Sequence, residues 1–245
     1  MSDQVRASID PLESRELLST VVLSNNTLNI RADNTGNHSI VIREAKGSKL
    51  AVSIDGGAEK LFNDSDVNAV IAFGGNGGNN LIAVSQRLRH YTIRTDFIAS
   101  RSGNDTLIGG DGRSVLVAGN GNCLLQGGNA DNTLVGGIGR DTLLGGPAFD
   151  LIIAGRGHTY INAGNGQNIV FGGQRGDTII GGDFRDQIFG STSDDYIQLG
   201  SGNETVYGDG GNDTIKSGSG TNEIHRSLFR NLTKVIHQLM PDIPK

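Results

Sequence analysis

An aliphatic residue returns at every ninth position over more than half of this chain: Ile98, Leu107, Leu116, Leu125, Leu134, Leu143, Ile152, Ile161, Val170, Ile179, Ile188, Ile197, Val206, Ile215 and Ile224. One apolar residue in nine suits neither a heptad nor an α-helical stripe. It suits a three-residue strand whose middle side chain points inward, followed by a six-residue turn. Two such repeats close one coil. Stacked coils place parallel strands about 4.8 Å apart, so fifteen repeats span roughly 36 Å. A single coil buries almost nothing, and neighbouring coils bury each other.

The frame starts at Tyr91 and runs unbroken to His225. An earlier copy, GGNGGNNLI, begins at Gly74 and is separated from the frame by AVSQRLRH. Glycine fills the second column from Gly110 to Gly182, as tight turns between short strands require. The chain has 38 glycines and 4 prolines in 245 residues and no G-X-Y triplet, which excludes collagen and Pro-rich disorder. Its 36% hydrophobic content is enough for a core only if each apolar residue is placed efficiently. A net charge of −5 offers no footprint for nucleic acid, and no run approaches the length of a transmembrane helix. The lone Cys123 excludes an internal disulfide and reads as a small buried residue.

The segments GGIGRDTLL (136–144), SGNDTLIGG (102–110) and GGNDTIKSG (210–218) carry a resemblance. They resemble the RTX, or haemolysin-type calcium-binding, nonapeptide G-G-x-G-x-D-x-U-x. The resemblance implies an all-β fold, a right-handed parallel β-roll with two nonapeptides per coil, and Ca2+ held in the turns.

In that family the sixth column carries the metal chemistry. Turns stacked on one side lie two repeats apart, so the column splits in two. One side reads Asp96, Ser114, Asn132, Asp150, Asn168, Asp186, Glu204 and Asn222; the other reads Asp105, Cys123, Asp141, Thr159, Asp177, Asp195 and Asp213. Stacked carboxylates repel without a cation between them, and Ca2+ takes six to eight oxygens. The run Asp177, Asp195, Asp213 is therefore the first candidate metal site, and the pair Asp186, Glu204 the second. Cys123 and Thr159 supply no hard anionic oxygen. Arg175 replaces a fourth-column glycine, and Arg113, Arg140 and Arg185 occupy the fifth column. Two alternatives to a metal stay open: guanidinium groups neutralise the turns, or the aspartates cap their own turns.

The ends read differently. Residues 1–19 form a leader or short helix, with Asp10 as N-cap, Pro11 at the first helical position and Glu13 two residues on. Leu12 to Ser19 resembles an LExRxLLS-type leader of exported bacterial proteins. Residues 20–73 contain TLNIRA, HSIVIRE and KLAVSID, alternating segments expected to form a small antiparallel β unit over the open end of the roll. The roll itself is expected over 74–225. Residues 226–245 place Leu228, Leu232, Val235, Ile236, Leu239 and Met240 on one helical face, which predicts an amphipathic capping helix.

HExxH, G-x-S-x-G and GxxxxGK[ST] are all missing, and the five histidines read as surface residues without metal-ligand spacing. The expectation is a non-enzymatic, secreted or cell-surface bacterial protein with a structural or adhesive role. Two alternatives are a secretion or folding module for a separate catalytic partner, and a carbohydrate-active solenoid. The outward seventh and ninth columns of one sheet carry Phe97, Val115, Val117, Val135, Leu151, Ile153, Ile169, Phe171, Phe189 and Tyr207. That face is apolar enough to predict self-association.

Overall fold

The computed structural model describes residues 19–33, 36–85, 93–99 and 101–225. They form a parallel β-solenoid of about seven turns with almost no helix. Two eleven-stranded sheets face each other across a thin core. The first sheet begins with Thr20–Ser24 and Thr27–Arg31, continues through Ala69–Phe73 and Arg94–Ile98, and ends at Glu223–His225. The second begins at Lys60–Asn63 and ends at Thr214–Lys216.

From Leu107 onward the register follows the nine-residue beat. Leu116 pairs beside Leu134, Leu134 beside Ile152, and Leu125 beside Leu143, each one coil apart. The twelve eighth-column residues from Leu107 to Val206 are all fully buried. Full burial of such a side chain is worth about 1.5–3 kcal/mol, and here it is delivered only when the next coil is in place. On the same inward side, small first-column residues such as Ala154 and Ala163 are also fully buried.

The glycines let turns touch. Gly155 has φ +101°, and a Cβ there would sit 2.5 Å from the carbonyl oxygen of Gly137, one coil earlier. Both the left-handed backbone and the contact exclude a larger residue.

The first frame repeat is out of step with the sequence reading. Phe97, expected to face outward, lies beside Leu116 and is fully buried, while Ile98 lies beside Val117 on the outer face. The coil from Phe97 to Leu116 is one residue longer than the coils that follow it. Thr95, not Asp96, therefore takes the sixth-column place beside Ser114, and their hydroxyls hydrogen-bond at 2.7 Å. Asp96 turns outward and pairs with Arg94 at 2.8 Å.

Upstream of Gly74 the strands extend the same two sheets. Thr27–Arg31 pairs parallel with Ala69–Phe73, and Ser39–Ala45 pairs parallel with Leu81–Val84. The antiparallel pairings expected there occur at the sheet ends: Thr20–Ser24 with Thr27–Arg31, Ser39–Ala45 with Lys49–Ile54, and Lys49–Ile54 with Lys60–Asn63. The leader expected over residues 1–19 lies outside the described residues but for Ser19, and so does the helix expected over 226–245. Among the described residues no helix is long and apolar enough to cross a membrane.

Candidate calcium site in the sixth column

The sixth-column side chains point into the roll at the start of each strand. Asp141, Asp150, Thr159, Asn168, Asp177, Asp186, Asp195 and Glu204 are all buried. A buried polar group needs a partner, and the backbone of the previous coil supplies it. On one turn stack, the amides of Cys123, Thr159, Asp177 and Asp195 donate to Oδ1 of Asp141, Asp177, Asp195 and Asp213 at 2.7–3.0 Å. On the other, the amides of Asn132, Asp150 and Asn168 donate to Oδ1 of Asp150, Asn168 and Asp186 at 2.8–2.9 Å. Each side chain thus bonds the coil before it to its own coil.

The second carboxylate oxygen separates the two stacks. Oδ2 of Asp141 accepts from the amide of Gly137, and Oδ2 of Asp177 from that of Gly173, both at 2.6 Å. Oδ2 of Asp195 accepts from the Ser191 hydroxyl at 3.3 Å. The run Asp177, Asp195, Asp213 is brought together as one stack, yet its oxygens are largely engaged by the protein. On the other stack, Oδ2 of Asp150, Oδ2 of Asp186 and both carboxylate oxygens of Glu204 are buried without a hydrogen-bond partner. Asp186 and Glu204 are 0% and 1% exposed.

Burial raises the pKa of every acid in this set for which a shift is resolved. Asp150 is pushed up to about 6, chiefly by burial, against hydrogen bonds from Asn132. Asp195 is pushed up to about 6 by burial and then by the charges of Asp177 and Asp213. Asp186 reaches about 7: burial is the main cause, and the Glu204 charge adds to it. Asp141, Asp177, Glu204 and Asp213 are also raised by burial. A buried anion with bare oxygens is costly, and a hard divalent cation is the group that relieves it.

The residues present fit calcium at Asp186 and Glu204. Both supply anionic oxygen: Oδ2 of Asp186 has no hydrogen-bond partner, and the Glu204 carboxylate makes no well-formed hydrogen bond, with only its own amide and that of Gly202 near enough to oppose the effect of burial. Among the described residues no three His, Cys, Asp or Glu side chains gather into a metal-binding group. A Ca2+ held by this pair would therefore complete its shell with backbone carbonyls or water. Cys123 and Thr159 interrupt the other column. The Thr159 hydroxyl donates to the Ala154 carbonyl at 3.1 Å, and burial keeps the Cys123 thiol protonated by raising its pKa.

Among the described residues the guanidinium alternative is met at one turn only, and not at a sixth-column acid. Arg113 pairs with Asp131 at 3.1 Å, outside the sixth column. Arg140, Arg175 and Arg185 make no side-chain ion pair or hydrogen bond among the described residues. Asp141, the carboxylate that follows Arg140, and Asp177, which lies beside Arg175, are bonded to backbone amides instead.

Sequence reasoning missed two parts of the site. A second ladder runs through the fifth column: the amides of Asn79, Asn104, Asn122 and Arg140 donate to Oδ1 of Asn37, Asn79, Asn104 and Asn122 at 2.7–2.8 Å. The signal was an asparagine immediately before the sixth column in successive coils. The other part is His38, expected at the surface but buried. Its amide donates to Asn80 Oδ1 at 2.9 Å, and its ring lies 2.8 Å from Asp55 and 3.0 Å from Asp33.

A family model described as the RTX calcium-binding nonapeptide repeat, in four copies, matches residues 100–122, 126–161, 144–179, 171–203 and 198–228. No curated protein matches the chain.

Proposed function

Because the chain belongs to the RTX calcium-binding nonapeptide repeat family, we propose that it is a non-enzymatic, right-handed calcium-stabilised β-roll acting as a structural or adhesive module outside the bacterial cell. The observation that carries this reading is the buried pair Asp186 and Glu204, whose three unpartnered oxygens lie on one turn stack. Calcium would neutralise that pair and couple two successive coils. A low cytosolic and high external calcium concentration would then favour the folded roll only after export, since a ligand that binds the folded state alone stabilises it by mass action.

The same reading has the outer apolar face of the first sheet meeting a second copy. Melting the protein in EDTA and in millimolar Ca2+ tests the core of the proposal. A higher melting temperature in Ca2+ is expected; equal values would overturn it.

A further inference from the structure

An open groove of about 890 Å3 lies on the turn stack that carries Asp141, Thr159 and Asp177. Arg140, Arg156, His158 and Arg175 line it, together with Asn122 and Gln174, and no carboxylate does. Asn122, Arg140 and His158 are spaced by one coil, as are Arg156 and Gln174, so the groove runs along the roll axis. The three arginines stand in three successive coils. At about 4.8 Å per coil, Arg140 and Arg175 are set roughly 10 Å apart along that axis.

These cations are uncompensated. All three arginine side chains are exposed, and none has an ion pair or hydrogen bond among the described residues. The nearest sixth-column acids cannot reach out to them. Both oxygens of Asp141 and of Asp177 accept from backbone amides, and the sixth-column place between those two acids is held by Thr159. Asp194, on the next coil, accepts from the amide of Asn212 at 2.7 Å. His158 donates from Nδ1 to the carbonyl of Gly176 at 2.7 Å, because a carbonyl only accepts. That leaves Nε2 as a further polar group.

In a chain of net charge −5, a local row of three free guanidinium groups is a departure that folding does not require. Guanidinium is built for forked hydrogen bonding to planar anions. We propose that this groove binds an acidic polysaccharide, its carboxylate groups taken one per coil by Arg140, Arg156 and Arg175. The repeat of a uronic-acid chain places anionic groups along one extended line, as the coils place the arginines. A nucleic acid fits less well, because no aromatic side chain lines the groove to stack a base. The inference does not depend on where calcium binds, because no acid of the sixth column lines the groove.

The test is titration of the full chain, in Ca2+, with a uronic-acid oligosaccharide, its neutral methyl ester, a sulfated oligosaccharide and inorganic phosphate. Saturable binding of the uronic-acid oligosaccharide and none of its methyl ester is expected. R140Q, R156Q and R175Q should each weaken binding about tenfold, the effect of one lost charge-assisted hydrogen bond. R113Q, whose arginine is paired with Asp131 on the other turn stack, should leave it unchanged. Far-UV circular dichroism identifies any variant that misfolds. Perturbation of the arginine Nε–H resonances in the unaltered protein supplies the same information without mutation. Equal binding of the methyl ester, undiminished binding by the three variants, or binding of sulfated oligosaccharide or phosphate in preference to uronate would each overturn the proposal.

Discussion

The main-chain amide of Asp177 donates to Oδ1 of Asp195, one full coil later, at 2.8 Å. The same bond recurs with asparagine as acceptor, from Asp150 to Asn168 at 2.9 Å. The first duty of the sixth column is thus to present a side-chain oxygen to a backbone amide. Asparagine meets that duty as well as aspartate does. Charge is a separate property, needed only where a cation is held, and this is why the column alternates between acid and amide.

Asp195→Asn and Asp195→Ala should separate the two duties. Alanine strands the buried amide of Asp177, at about 1–3 kcal/mol for an unsatisfied group. Asparagine keeps the acceptor and removes a carboxylate that burial and two neighbouring acids disfavour. Urea denaturation should show a large loss for alanine and a small change for asparagine. Equal losses would mean that the charge, not the hydrogen bond, matters at this position.

Glu204→Gln should act in opposite directions with and without metal. In EDTA it relieves repulsion between two buried acids and raises the melting temperature, since the Glu204 charge helps push Asp186 up. In millimolar Ca2+ the variant should lose most of the calcium-induced shift. At a hundredfold excess over Kd that shift reflects about 2.7 kcal/mol, or roughly 5–10 °C for a domain of this size. A full calcium response in the variant would remove Glu204 from the site.

Acidification should stabilise the metal-free protein. The raised acids bind protons more readily folded than unfolded, so stability falls as pH rises between the unfolded carboxylate range and the folded values. Those values are about 6 for Asp150 and Asp195 and about 7 for Asp186. Burial lowers the pKa of His38, but Asp55 and Asp33 outweigh it, so the net shift is upward. A raised histidine contributes stability that is complete below its unfolded pKa and lost as pH rises through its folded one, which is the same direction. Denaturant midpoints in EDTA should therefore be higher at pH 5 than at pH 8. Calcium should reverse this order, because the metal competes with protons for the carboxylates.

Gly155→Ala should destabilise without altering calcium affinity at Asp186 and Glu204. The alanine Cβ would meet the Gly136 and Gly137 carbonyls in a left-handed conformation that L residues rarely adopt. The strain falls on the other turn stack, so a calcium titration of the folded variant should match the parent.

The beat from Leu107 to Val206 was legible because one fully buried aliphatic recurs there in every strand at a fixed spacing. The slip at Phe97 was not, since Phe97 and Ile98 are both apolar and an added residue in the loop before Asp105 leaves no mark on a nine-residue count. The first coils were hidden for a related reason. Leu81 pairs with Thr106 across an inserted stretch, and Ser39 with Leu81 across a whole hairpin extension, so no fixed period joins them. The acids themselves were found, but which of them keep bare oxygens depends on whether a glycine amide or a serine hydroxyl in the same turn reaches Oδ2. That is a matter of turn geometry, and composition is silent on it.

The outer face of the first sheet supplies the remaining prediction. Phe171, Phe189, Tyr207 and His225 stack ring on ring at centroid separations of 4.8, 5.1 and 4.8 Å. The ladder satisfies the faces of its inner rings and presents edges to the outside, with Phe171 at its open end 39% exposed. Ile153 lies beside Phe171 and Val135 beside Ile153, so the apolar row continues past the aromatic rings. A two-fold contact between two such rows would bury them against each other with the same patch on both partners. Phe171→Lys together with Ile153→Lys places two charges in the centre of that row without touching the inward column. Light scattering should then report a smaller species than the parent, with an unchanged far-UV spectrum. A parent that already runs as a monomer at the same concentration would show that the ladder is closed by its own stacking and that this face has no second copy.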